Sequence, residues 1–168
     1  MELAVTMTTE ARREFATLLE LHRGILFKVA NSYARDPVDR ADLAQEIAAQ
    51  LWRAWPAYDR ARPLTTWMYR VALNVAISQL RIRSLRDRHL VPMDETHDAG
   101  VDDGHEAAAQ VRMLQQVIAR LAPLDRALVL LYLEERSQRE ISEILGISET
   151  NVATKIARLK QRIRTELG

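Results

Sequence analysis

The chain contains no cysteine in 168 residues. That excludes disulfides, thiolate-bound metals and a thiol nucleophile, and it suits a protein kept in the reducing cytoplasm. Glycine and proline are scarce, five of each, and no run alternates β-branched with polar residues, so a sheet protein of many short strands is not expected. Ala, Leu, Arg and Glu are abundant instead, the residues of long helices. No apolar stretch approaches the length that crosses a bilayer and no charged-then-apolar leader opens the chain, so a soluble, unexported, cytoplasmic protein without direct membrane insertion is expected. Glycine-rich phosphate loops, nucleophile arrangements and metal-ligand spacings are lacking too, so neither catalysis nor a cofactor nor a metal is expected. Neither sign of charge dominates, with 24 Lys and Arg against 23 Asp and Glu. The information lies in how the charges are segregated along the chain.

With 48% hydrophobic residues, a chain of this length can bury the core of one ordinary domain or two small ones. Residues 1 to about 8 lack periodicity and read as a loose tail, with Met7 an alternative start. From Glu10 to Tyr33 the spacing of Phe15, Leu18, Leu19, Ile25, Leu26, Val29 and Ala30 predicts one long helix. His22 lies on the same stripe and reads as a core or boundary residue, since no ligand-spaced partner accompanies it. A second helix is predicted with Asp39 as N-cap, Leu43, Ile47, Leu51 and Trp52 on one face, and a stop at Pro56. Its other face carries Asp42, Gln45, Glu46, Gln50 and Arg53, on the plainest reading a solvated surface.

The segment Pro56 to Thr66 packs two prolines, two arginines and a tyrosine into one short loop. A helix capped by Thr65 or Thr66 then follows, with Trp67, Val71, Val75 and Ser78 as one stripe and Met68, Tyr69, Arg70, Asn74 and Gln79 spread around it. Its extension holds Arg81, Arg83, Arg86 and Arg88 against Asp87 alone. Aromatic faces for bases beside cations for the backbone suit single-stranded nucleic acid, although a core Trp and Tyr with solvated arginines fit the same residues. From Leu90 to Glu106 helical periodicity breaks at Pro92, Gly100 and Gly104 in a run with six acidic residues and no Lys or Arg. This reads as a flexible acidic linker, and His97 and His105 within it as solvated polar residues before a metal site. The chain is therefore expected to be all-α, with two small helical domains, 10–88 and 107–168, on either side of a linker at 89–106. The second is a four-helix domain ending in a helix-turn-helix.

In that second domain Val111, Leu114, Ile118 and Leu121 mark one helix and Leu128, Leu131 and Tyr132 the next, joined at Ala122-Pro123. Ile141, Ile144 and Leu145, then Val152, Ile156, Leu159 and Ile163, mark two helices separated by Gly146, a left-handed C-terminal residue, and Ser148, an N-cap. Thr150, Asn151, Thr154, Lys155 and Arg158 stand between the apolar positions of the last helix, where a recognition helix presents donors to base edges. Lys155, Arg158, Lys160, Arg162 and Arg164 face only Glu166, a basic strip of the kind polyanions attract.

These motifs together resemble the sigma-70 family, specifically its two-domain extracytoplasmic-function (ECF) sigma factors, over about residues 10 to 167. Asp39 to Leu43, Gln45-Glu46 and Leu51-Trp52-Arg53 resemble the family's region 2, as does the run from Trp67 to Asn74. Leu121 to Arg126 and Ile141 to Arg158 resemble region 4. Departures are Leu73 for a usual Arg, Ser78 for a frequent Asp, Thr150-Asn151 for Gly-Thr and Ala153-Thr154-Lys155 for Lys-Ser-Arg, so the promoter sequence does not carry over.

The resemblance implies that Asp39, Asp42, Gln45, Glu46, Gln50 and Arg53 dock on core RNA polymerase, at the β′ clamp helices, with the β subunit a further partner. It implies that Tyr58, Trp67, Arg70, Asn74, Arg81, Arg83 and Arg86 hold the melted minus-ten element. Arg139, Ser148, Thr150, Asn151, Thr154, Lys155, Arg158, Lys160 and Arg162 would lie at duplex minus-thirty-five DNA. An anti-sigma factor is an expected partner, and the linker would follow a basic polymerase channel or act as a passive tether. The competing reading is a stand-alone helix-turn-helix regulator with a sensor or dimerisation module, which leaves the Asp42 to Arg53 face and the Trp67 to Arg86 stretch without a role.

Overall fold

The computed structural model describes residues 8–87 and 106–168, so the readings of the tail, Arg88 and most of the linker, with His97 and His105, lie outside the described residues. These residues form α-helices and no strand, in accord with the all-α expectation. The first four are α1 (Thr9–Leu21), α2 (Arg23–Tyr33), α3 (Pro37–Ala54) and α4 (Leu64–Asp87). The second four are α5 (Glu106–Ala119), α6 (Pro123–Leu133), α7 (Gln138–Leu145) and α8 (Glu149–Leu167).

The single helix expected from Glu10 to Tyr33 is broken at His22, where φ is −111° and ψ 16°. Unbroken it would run about 36 Å, longer than the small core beneath it. The break, next to the weak helix former Gly24, turns α1 back so that the Phe15 ring meets Trp52 at 5.3 Å and Trp55 at 5.5 Å. α3 also starts earlier than expected. Asp36, not Asp39, is the N-cap, its carboxylate accepting from the Asp39 N–H at 2.8 Å, and Pro37 occupies the first turn. A proline there needs no amide hydrogen bond and presets φ, so Asp36-Pro37 starts this helix rather than ending the previous one. At the other end the chain leaves α3 in a short 3-10 turn, Trp55–Ala57, which buries Trp55 and leaves Trp52 37% exposed.

α4 begins at Leu64, and the Trp67 N–H closes its first turn on the Pro63 carbonyl, so neither Thr65 nor Thr66 is the cap. Its buried stripe is Met68, Tyr69, Ala72, Leu73 and Ala76. The stripe expected at Trp67, Val71 and Val75 is only partly buried, because four helices around one core turn the 68–72–76 side inward. Leu73, one of the departures from the resemblance, is a core residue.

In the second group the helix-turn-helix forms as its local chemistry predicts. Ser137 caps α7, its hydroxyl accepting from the Glu140 N–H, Gly146 ends it at φ 70°, and Ser148 caps α8. Ile141, Ile144, Val152, Ile156 and Leu159 are buried together, burial that stabilises two helices too short to persist alone. On α5 Val117 takes the buried place, while Val111, expected inside, is 54% exposed. The two groups touch, α4 packing on α6 and α7, and α2 on α5 and α6.

A Cβ on Gly146 would meet nothing within 4 Å, so only its positive φ resists substitution. Gly146→Ala should lower unfolding stability by about 1 kcal/mol, and Gly146→Asn by less, in urea titrations.

Candidate polymerase and nucleic-acid interface

The outer face of α3 combines a linked network with open positions. The Arg53 guanidinium donates to Glu46 at 3.2 Å and to Gln50 at 3.0 Å, fixing three of the predicted polymerase-facing side chains in one row. Asp42 and Gln45 stand exposed one turn earlier. Asp39 turns toward α4, where its carboxylate lies 3.4 Å from the Arg83 guanidinium. Hydrogen bonds from the Asp39 backbone hold the Asp36 carboxyl below the usual range, while sharing a hydrogen bond with Asp36 raises that of Asp39.

The loop after α3 is organised by rings. Tyr58 stacks on Trp55 at 5.5 Å with 16° between planes and lies 4.7 Å from Trp67. Its hydroxyl donates to the Arg62 carbonyl, bracing the loop from inside. The Arg60 guanidinium covers Trp55 at 5.9 Å and pairs with Glu14 of α1 at 2.9 Å. Sequence reading missed that contact, because nothing in the local pattern joins residues so distant in sequence. Tyr58 and Trp67 are thus half-buried against each other and against Trp55.

Along α4, Trp67, Arg70, Asn74 and Arg81 recur at intervals of three, four and seven, one face of a helix opposite the buried stripe. Arg70, Asn74, Arg81 and Arg86 are exposed. Arg83 is on a different side, held by Asp39.

On α8 Thr150, Asn151, Thr154 and Arg158 are exposed on one side, while Lys155 is half-buried. The Ser148 hydroxyl is occupied as a cap, accepting from the Asn151 N–H at 3.1 Å, and the Thr154 hydroxyl donates to the Thr150 carbonyl at 3.0 Å. Arg139, on α7, is exposed and 3.5 Å from Glu143. The basic strip does not stay on one face, because a helix turns about 100° per residue. Arg162 pairs with Glu166 at 3.0 Å, and the Lys160 ammonium sits 4.4 Å over the Tyr132 ring. Lys160 and Arg164 border an apolar groove of about 270 Å³ between α5, α6 and α8, lined by Leu114, Tyr132, Leu133 and Ile163. Among the described residues no three His, Asp or Glu gather as a metal site, and no helix is long and apolar enough to cross a membrane.

Comparison with known proteins finds a family match in each group of helices. Residues 18–86 match Sigma-70 region 2 and residues 111–163 match Sigma-70, region 4. The RNA polymerase sigma-E factor of Streptomyces avermitilis is 30% identical over 155 residues, which are 92% of this chain and 85% of that protein. The ECF RNA polymerase sigma factor SigW of Bacillus subtilis is 26% identical over 167 residues, 91% of this chain and 88% of that one. In fold the chain resembles the sigma factor RpoE from Bartonella quintana, solved in complex with the anti-sigma factor NepR, with a TM-score of 0.72 at 18% identity over 92% of this chain and 97% of that one. The chain belongs to the sigma-70 family, among its extracytoplasmic-function sigma factors.

Proposed function

We propose that this chain joins core RNA polymerase in the cytoplasm and directs it to a distinct set of promoters, acting as a binding subunit with no chemistry of its own. Residues 10–88 would hold the β′ clamp helices and the opened minus-ten element, and residues 107–168 the minus-thirty-five duplex. The observation that carries the reading is the outward face of α8, where Thr150, Asn151, Thr154 and Arg158 stand exposed on a capped helix-turn-helix in a chain that also matches region 2. A stand-alone regulator accounts for α8 and leaves the region 2 match unexplained.

The two halves suit different states of DNA. α8 offers donors at the spacing of base edges in a major groove, where a bidentate side chain discriminates between bases. The region around Trp67 offers the part-exposed rings of Tyr58 and Trp67 with the exposed Arg70 and Asn74 on the same helix, which suits bases taken out of the stack. Extruding a base costs a few kcal/mol, which stacking and cation contacts offset, so recognition and opening become one event. Asp42, Gln45 and the Arg53 network supply a polar docking face, whose charges set orientation and association rate. An anti-sigma factor is proposed as the protein's inhibitor.

Run-off transcription with core polymerase and genomic templates should give discrete start sites that depend on this protein; no protein-dependent transcript at all would reject the reading. Arg158→Ala should lose about 1–3 kcal/mol of discrimination at one minus-thirty-five position while leaving start-site chemistry intact. Unchanged promoter selectivity would remove Arg158 from the reading face. Changing Asp42 and Gln45 together to Ala should weaken core binding in a pull-down without altering which promoters are chosen. Asn74→Ala should impair promoter opening, seen by permanganate footprinting, with no change in melting temperature. Trp67→Ala, by removing a ring from the Trp55–Tyr58 cluster, should impair opening and also lower stability by about 2 kcal/mol.

A further inference from the structure

The loop between α3 and α4 takes its shape from its own residues. The Tyr58 N–H donates to the Trp55 carbonyl at 3.1 Å and the Arg62 N–H to the Asp59 carbonyl at 3.0 Å. The Asp59 carboxylate accepts from the Ala61 N–H at 3.0 Å, a turn typical of Asp, and the Tyr58 hydroxyl closes the loop on the Arg62 carbonyl. Packing of the Tyr58 ring on Trp55 and Trp67 seats the start of the loop on the helices. Its tip is held differently. The Arg60 guanidinium lies 5.9 Å over Trp55 and donates to the Glu14 carboxylate of α1 at 2.9 Å. Phe15, next to Glu14, packs on Trp52 and Trp55, so α1 meets this corner with a carboxylate and a ring side by side.

We propose that Glu14 is a positioning residue for strand recognition: it pins Arg60 on Trp55, which fixes the tip of the loop beside Tyr58 and Trp67 and withholds one cation from the DNA backbone. The inference rests on the promoter reading above, in which these rings border the melted strand. Trp55 touches both Tyr58 and Trp67, so the Arg60 cation is one ring removed from each of them. Phosphate contacts add affinity without carrying sequence information. A released arginine on this rim would raise binding to any single strand, whereas a carboxylate that neutralises it leaves discrimination to the groups that face bases. Arg70 and Arg81, exposed along α4, remain for the backbone.

The exposure of the pair separates this role from a structural one. The Arg60 side chain is 70% exposed and that of Glu14 41%, and ion pairs so open to solvent contribute little to folding. Such a pair still weights one placement of a loop tip over others by about two- to fivefold, which is enough to tune selectivity. The apolar partner of the same corner, Phe15, is buried and carries the stability instead. Removing the carboxylate therefore tests position and charge with the fold intact.

Holoenzyme reconstituted from the full chain and core polymerase is titrated, over a range of salt, with two single-stranded oligonucleotides of equal length. One is the non-template minus-ten strand of a promoter located by run-off transcription, the other oligo(dT). Glu14→Ala should keep the parent's helical circular dichroism and bind oligo(dT) more tightly, with the slope of log affinity against log salt steeper by about 0.7, the value of one added phosphate contact. Its discrimination between the two strands should fall about two- to fivefold. Arg60→Ala should lower discrimination alike and leave the slope unchanged. In the Arg60→Ala background Glu14→Ala should alter neither, since Glu14 acts through Arg60. A folded Glu14→Ala protein with the parent's slope or the parent's discrimination overturns the proposal and leaves the promoter reading standing. A slope that steepens as much in the Arg60→Ala background does the same, because Glu14 would then repel DNA directly, and so does loss of folding in Glu14→Ala, which would make the pair structural. A holoenzyme that locates no promoter overturns the promoter reading and this proposal with it.

Discussion

Burial of Met68, Tyr69, Ala72, Leu73 and Ala76 fixes the rotation of α4 about its own axis, because a helix that hides one stripe must present the opposite one. That constraint puts Arg70, Asn74 and Arg81 outside. The small side chains at 72 and 76 let neighbouring helices approach closely, and Tyr69, inward on the same stripe, offers its ring to Arg136 from the other half of the chain. One helix therefore carries an exposed polar stripe, a core stripe and a contact with the other half of the chain.

Charge in this protein is divided between internal ties and outward display. Arg83 is held by Asp39, Arg60 by Glu14, Arg162 by Glu166, and Arg136 spans Glu140, Thr65 and Tyr69. Burial pushes the Tyr33 hydroxyl well above its ordinary range and lowers the Arg126 guanidinium, because desolvation disfavours each charged form. The net charge of +1 conceals this sorting. Arg70, Arg81 and Arg158 stand exposed outside these ties.

Local chemistry was legible wherever one residue decides a backbone step. Ser137, Gly146 and Ser148 marked the helix-turn-helix, and the periodicity of Ile141 to Leu159 marked its buried face. Legibility failed where packing overrides a pattern. The break at His22 follows from Phe15 meeting Trp52 and Trp55, and the true cap at Asp36 from a proline that can start a helix as readily as end one. The roll of α4 was misplaced because Trp67, Val71 and Val75 are as apolar as the residues that displaced them.

The sequence by itself determined the all-helical class, the helix-turn-helix and the residue types its second helix turns outward, since these depend on dihedral preference and on spacing within one helix. Only the tertiary structure decided which arginines remain available, how Trp55, Tyr58 and Trp67 close the loop, and how Arg136 meets Thr65 and Tyr33 meets Pro123 across the two halves. Those outcomes join residues far apart in the chain, and their partners are chosen by close packing, to which no local pattern gives access.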